Sequence, residues 1–390
     1  MTPGARVQAA VEVLGAVVAG APAERELTAW GRRARYAGSK DRAAVRDHVY
    51  DALRRLRSSA WLGGLGAIDG LAQVSDPARL MAGLLRGQGR DLSGLFTGQG
   101  HAPAPVDIPD QVGNMPEGVA SDLPNWVLGH LRANHGDRAM DIAAALRCRA
   151  PVNLRANLRK TTREALMARL TDAGLTVEAH TISPTAIFVA GAPRGLTALD
   201  AFLDGSFELQ DAGSQALVDR LPADGRSVLD LCAGGGGKAL AAAAGSDRAV
   251  FAHDAEPERM RDLPARAKRA GVRIDITENP EAAAPFDGVI ADVPCSGSGS
   301  WRRSPEARWR LDEAGVTVLM ARQDAILDRA VRLVKPGGWV AYMTCSLLQA
   351  ENAARVDARL VRRDVVLENR WDCSPLDDCD GFHLSVLRRV

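Results

Sequence analysis

The 390 residues include 49 basic and 48 acidic side chains, for a net charge of +1, with 46% hydrophobic and 25% charged positions. That balance excludes a fibrous or disordered chain, and no stretch reaches the ~18 apolar residues of a membrane-spanning helix. A chain of this length exceeds one ordinary core, so two or three domains are expected. No N-terminal stretch reads as a signal peptide. The six cysteines, Cys148, Cys232, Cys295, Cys345, Cys373 and Cys379, contain no CxxC pair and no ligand-like spacing to His. They read as free thiols of a reducing, cytoplasmic compartment, with neither a disulfide nor a metal site.

Residues 1–75 read as a small helical domain. Residues 5–14 place apolar side chains at helical spacing, and Ser39 is a candidate N-cap for a second run. Arg46, Arg54, Arg55 and Arg57 fall on or near that helix's surface, where a solvated face and an RNA contact are both open readings. Residues 76–120 read as a loop-rich linker, densest in Gly, Pro and Asp between 87 and 117. Residues 121–209 read as a small α+β domain. Pro124 suits the first turn of a helix, residues 151–157 and 186–190 look like strands, and residues 162–173 look helical. Arg147, Arg149, Arg155, Arg159 and Lys160 cluster here, which suggests a phosphate-contacting surface.

From residue 210 to the end, strands and helices alternate, as in a mostly parallel sheet with helices on both faces. Strands are expected at 227–231, 249–253, 273–276, 286–291 and 339–343. The first opens into Cys232, Ala233, Gly234, Gly235, Gly236, Gly237 and Lys238. Consecutive glycines let backbone N–H groups approach a ligand closely, although the spacing is neither GxxxxGK[ST] nor GxGxxG. Asp254, ending the next strand, is placed to bind ribose hydroxyls. Strand, glycine loop, helix, strand and acid form the order of S-adenosylmethionine-dependent methyltransferases, one that Rossmann dehydrogenases share.

Two cysteines follow strand ends in the same domain: Cys295 within Asp292-Val293-Pro294-Cys295-Ser296-Gly297, and Cys345 within Thr344-Cys345-Ser346. Ligands of open α/β sheets bind beyond the carboxyl ends of strands, so the two thiols are expected to face one pocket. A single cysteine there is most often a small buried hydrophobe. Two of them, with an acid and a glycine loop, point to a thiolate nucleophile assisted by a second thiol.

With these motifs the chain resembles the Sun/RsmB family of RNA 5-methylcytosine methyltransferases, which modify small-subunit ribosomal RNA. The resemblance rests on residues 207–215, 232–238, 292–299, 302–306 and 344–352, and on Asp380-Gly381-Phe382-His383 near the end. It implies a Rossmann-like methyltransferase domain (210–390), a helical NusB-like domain (1–75) and a small α+β RNA-binding domain (121–209). It implies S-adenosyl-L-methionine as cofactor and RNA as partner, with 16S ribosomal RNA as the expected substrate of a monomer. Transfer RNA under the same chemistry is an alternative, as is a non-catalytic RNA-binding or ribosome-assembly protein.

The resemblance assigns Cys345 as nucleophile toward cytosine carbon 6 and Cys295 to product release. Asp292 is expected beside the target ring, with Lys238 on that carboxylate or on the base. The cofactor is expected on residues 232–238, Asp254, Asn279 and Asp292. Arg302 and Arg303 are expected at RNA phosphates, salt bridging to Glu306 or Asp312 being the other reading. Two departures stand out. The family carries Ala-Pro where this chain has Gly234-Gly235, and Thr at Ala239. Thr277-Glu278-Asn279 stands where the family has an acid, leaving the Asn279 side-chain oxygen for the adenine amino group.

Overall fold

The computed structural model describes residues 1–109, 113–191 and 193–390. Residues 110–112 of the expected linker and residue 192 of the expected α+β domain lie outside the described residues. The chain forms two compact units, one of Met1–Arg149 with Trp301–Glu313, the other of Ala150–Ser300 with Ala314–Val390.

The first unit is helical. The helix Pro3–Val18 starts at a proline, and the Thr2 hydroxyl accepts the Ala5 N–H at 3.2 Å. Its buried Val7, Ala10, Leu14 and Val17 form one stripe, as a 3.6-residue period requires. The helix Ser39–Arg54 is capped by Gly38, whose N–H donates to Asp41 at 3.0 Å, so Ser39 is its first residue rather than its cap.

The arginine reading splits. Arg46 is exposed, but Arg54 and Arg57 are buried. Arg54 donates to the Arg302 carbonyl at 3.0 Å, and Arg57 donates to the Ile68 carbonyl at 2.8 Å. These guanidinium groups satisfy backbone acceptors and are not a surface for RNA. The stretch read as linker contains the helix Pro77–Gly87, which buries Leu80, Met81, Leu84 and Leu85. Asp76 and Pro77 are this helix's cap and first residue.

The second unit holds two sheets. Strands β1 (Val152–Ala156), β2 (Val177–Ala179), β3 (Ala186–Val189) and β4 (Phe207–Leu209) pair antiparallel in the order β2-β3-β1-β4. Leu154, Ile187 and Phe207 pack on Leu166 and Leu170 of the helix Arg163–Asp172, which Thr162 caps. The second and fourth strands have three residues each, too few for a readable period.

The larger sheet comprises β5 (Ser227–Asp230), β6 (Ala249–Ala252), β7 (Ile274–Ile276), β8 (Phe286–Asp292), β9 (Val334–Thr344), β10 (Val365–Cys373) and β11 (Phe382–Arg389). Their order is β10-β11-β9-β8-β5-β6-β7, parallel from β9 through β7, with β11 antiparallel between β9 and β10. Central strands are apolar on both faces, as buried parallel strands must be: Val228, Leu229, Val289, Ile290, Val340 and Ala341 are all sealed. Gly288 has no substitute, because a Cβ there would lie 2.2 Å from the Trp339 ring. No described helix is long and apolar enough to cross a membrane.

Candidate active site

A cavity of about 530 Å³ opens where β5, β8 and β9 end, of the size that holds small-molecule ligands. Its wall includes residues 232–235, Gly237, Lys238, residues 292–295 and Cys345, together with Gln210, Ser214 and Arg259.

The glycine loop is shaped by its own backbone. Gly234 (φ +52°) and Gly236 (φ +79°) occupy the left-handed region, and a Cβ on Gly236 would sit 2.3 Å from Leu263. The Ala233 N–H donates to the His253 carbonyl at 2.9 Å, tying the loop to the end of β6. Asp254 is buried there. Its two oxygens accept the N–H groups of Gly234 (2.8 Å) and Glu256 (2.9 Å), and Arg259 approaches at 3.3 Å. In this structure Asp254 holds the loop and does not line the cavity.

Lys238, in the first turn of the helix Gly237–Ala244, places its ammonium 2.6 Å from Asp292 at the end of β8. Burial works against that charge, but the Asp292 carboxylate outweighs it and raises the ammonium above its usual value. Behind the pair, Asp230 ends β5 almost fully buried. Burial first, then the charge of Asp292, push its carboxyl up to about 7.

The two expected thiols meet at this point. Cys295 and Cys345 stand with sulfurs 3.5 Å apart, and the Ser300 hydroxyl lies 4.0 Å from the Cys345 sulfur. The Cys295 thiol, donating to Cys345, is the largest influence lowering Cys345 below the usual thiol range. Lys238 adds to it, while burial and Asp292 oppose. The same hydrogen bond, with burial and the charges of Cys345 and Glu351, drives Cys295 well upward. Cys232 also lines the cavity, but burial pushes its thiol up to about 12. The chemistry this permits is nucleophilic attack by one thiolate, with a protonated partner thiol and an ammonium beside it.

Two family models match the chain. One, described as 16S rRNA methyltransferase RsmB/F, covers residues 219–380, and the other, a ferredoxin-like domain of the same proteins, covers residues 123–194. Ribosomal RNA small subunit methyltransferase B of Serratia proteamaculans is 32% identical over 286 residues, 68% of this chain and 66% of that protein. The Vibrio vulnificus protein of the same name is 32% identical over 281 residues, with the same coverage. The chain belongs to the RsmB/F methyltransferase family.

The match spans 66% of the length of each of these relatives. Among solved structures, PH0851 superposes over all of this chain and 99% of its own at TM-score 0.75 and 22% identity. NSun6 from Pyrococcus horikoshii with SFG covers 68% of this chain and 98% of its own, at TM-score 0.61 and 18% identity. Both are likenesses of fold alone.

The structure turns several of the basic residues expected at RNA into the protein. Arg155 is buried and donates to Gln210 (2.5 Å) and the Gly237 carbonyl (2.9 Å), so it braces the glycine loop and cannot reach an RNA phosphate. Arg302 is likewise buried, whereas Arg303 is exposed. Arg159 donates to the carbonyls of Ala243 and Ser246 and pairs with Asp247 at 3.0 Å. Arg147 and Lys160 donate to the carbonyls of Ala120 and Asp204, whereas the exposed Arg149 only approaches Asp47 at 3.6 Å.

Asn279 is exposed, away from the cavity wall. Its side-chain oxygen caps the short helix Pro280–Ala283 through the Ala282 N–H at 3.3 Å. Gln210 and Ser214 line the cavity from residues 207–215, a stretch visible in the sequence without a role. Arg259 had no distinguishing signal, since it sits among several charged residues of a helical segment.

Proposed function

We propose that the protein is an S-adenosylmethionine-dependent methyltransferase that forms 5-methylcytosine in RNA, with small-subunit ribosomal RNA as substrate, in the cytoplasm. The observation that carries this reading is the 3.5 Å pair of thiols with opposite proton affinities, beside Lys238 and Asp292 in one cavity.

The cavity wall fits the cofactor. Residues 232–235 and Gly237 bring bare backbone to it, and about 530 Å³ accommodates a nucleoside and a base edge together. Asp254, whose oxygens hold the Gly234 and Glu256 N–H groups at the rear of the loop, is the ribose acceptor in this reading. Asp292 serves the cofactor's polar end and the base. When bound, S-adenosylmethionine supplies a methyl group on a sulfonium sulfur. The family departures at Gly234 and Gly235 leave the backbone donors in place.

Carbon 5 of cytosine is too weak a nucleophile to take a methyl group unaided. The Cys345 thiolate adds to carbon 6, forming an S–C6 bond and moving the ring π pair toward carbon 5 and the N3–C4 side. The Asp292 carboxylate accepts from the amino group, and the Lys238 ammonium beside it is the donor that meets the ring nitrogen as that charge develops. Carbon 5 would then take the methyl group as its bond to the sulfonium sulfur breaks, the bonding pair leaving with that sulfur as a neutral thioether. The carbon 5 proton leaves to solvent water, the C5=C6 bond re-forms, and the S–C6 pair departs with Cys345. Cys295, still a thiol at 3.5 Å, hydrogen-bonds to the departing sulfur and stabilises it as thiolate.

A target within a stem has to be extruded first. The exposed Arg303 is the RNA contact retained from the sequence reading. The test is bisulfite sequencing of ribosomal and transfer RNA from a strain lacking the gene. Loss of a single protected cytosine in small-subunit ribosomal RNA is expected; loss in transfer RNA alone moves the substrate, and no loss anywhere removes the reaction.

A further inference from the structure

One residue behind the cavity bonds to the neighbour of each thiol. Glu351 is fully buried, and its Oε1 accepts the backbone N–H of Ser296, the residue after Cys295, at 2.8 Å. Its Oε2 accepts the hydroxyl of Ser346, the residue after Cys345, at 2.6 Å. Gln323 donates to the same carboxylate at 2.9 Å and to the Pro294 carbonyl at 3.0 Å, so both loops hang on one group. Charge-assisted bonds of this kind are the strong ones in a dry interior.

Resting on the reading of the two sulfurs above, we propose that Glu351 is a positioning residue that ties the loops of the two thiols together and whose buried charge adds to the bias that leaves Cys345, not Cys295, as the thiolate. A buried negative charge makes ionisation of the nearer thiol unfavourable, because little solvent screens it. The titratable neighbours divide accordingly. Cys295 faces Glu351, Cys345 and Tyr342, and Cys345 faces Asp292 and Lys238. The Cys345 hydrogen bond first, then burial, the Cys345 charge and the Glu351 charge raise Cys295, while the Cys295 hydrogen bond and Lys238 lower Cys345. The carboxylate thus helps to keep Cys295 a donor and Cys345 the thiolate.

The test needs no RNA. The full-length protein is alkylated with iodoacetamide from pH 6 to 10, and each cysteine peptide is quantified by mass spectrometry. In the unaltered protein Cys345 reacts before Cys295. Glu351→Gln keeps a carbonyl acceptor and the side-chain shape while removing the charge. It is expected to lower the pH midpoint of Cys295 and to reduce the Cys345-to-Cys295 rate ratio at neutral pH about tenfold.

Ser346→Ala breaks one bond of the network but leaves the charge, and is expected to leave the Cys295 midpoint where it was. A folded Glu351→Gln protein with unchanged midpoints at both thiols would overturn the proposal. So would Ser346→Ala moving the Cys295 midpoint as far as Glu351→Gln, since loop geometry alone would then suffice. Should Glu351→Gln unfold, judged by circular dichroism, Glu351→Asp takes its place. Asp keeps the charge on a shorter arm and is expected to preserve the order of reaction. Absence of RNA methylation would refute the proposed function and leave this readout intact.

Discussion

The second unit holds two pairs of neighbouring cysteines, and they are chemical opposites. Cys295 and Cys345 line a cavity, with a lysine ammonium close enough to lower one of them. Cys373 and Cys379, at the turn between β10 and β11, are buried in the apolar core. Cys373 donates to the Asp380 carbonyl and Cys379 to the Ser374 carbonyl. Burial first, then its partner thiol, drive Cys373 well upward. Two thiols in contact are therefore not a reactive site in themselves. A cation within reach and an opening to solvent separate a nucleophile from a core residue.

The sharpest way to break the contrast is to remove one member of each pair. Cys345→Ala is expected to reduce methylation of substrate RNA below detection. Cys373→Ala is expected to retain it while losing on the order of 1 kcal/mol of stability, read as a drop of a few degrees in melting temperature. Loss of activity in both would make the difference between the pairs illusory.

Next in size is the cation. Lys238→Met leaves Asp292 without its partner and Cys345 without its positive neighbour, and is expected to lower kcat by about 10²–10³-fold. Cys345 sits below the usual thiol range, so activity rises as pH climbs through its titration. Without Lys238 that rise is expected at higher pH, as a pH–rate profile would reveal. An unshifted limb would assign the lowering to the Cys295 hydrogen bond alone.

Smaller still is the cofactor side. Asp254→Ala frees the Gly234 N–H and the ribose position together, and is expected to weaken S-adenosylmethionine binding about tenfold, or ~1.4 kcal/mol, in calorimetry. Asn279→Ala, on an exposed helix cap, is expected to change it by less than half that free energy. A separate effect, on stability and not on binding, concerns Asp230, whose carboxyl is raised to about 7. Its contribution to folding is complete below the unfolded carboxylate range and lost as pH rises through about 7. The melting temperature of Asp230→Asn relative to the parent is therefore expected to improve between pH 5 and pH 8.

Much of this site was legible in the sequence because it lies at strand ends with distinctive loops. The glycine run, Pro294-Cys295 and Thr344-Cys345 each mark a carboxyl end of the parallel sheet, and parallel order alone brings them to one crevice. The strands β10 and β2 were not legible. The first is an edge strand with mostly exposed residues, without alternation, and the second is only three residues long. The arginines were misread for a different reason. A basic residue beside a loop looks the same in sequence whether it meets phosphate or a carbonyl, and Arg54, Arg57 and Arg155 all serve backbone acceptors. Glu351 sits in a recognisable motif, yet only the fold reveals that it touches the neighbours of both cysteines.

The central claim is the division of labour between the two sulfurs, and one gel tests it. Each variant is incubated with substrate RNA and S-adenosylmethionine, denatured, and examined for a protein–RNA species that survives. Cys295→Ala removes the thiol that eases departure of Cys345, so a covalent adduct is expected to accumulate; Cys345→Ala forms no S–C6 bond and is expected to give none. An adduct with Cys345→Ala and none with Cys295→Ala would contradict the account and exchange the two roles.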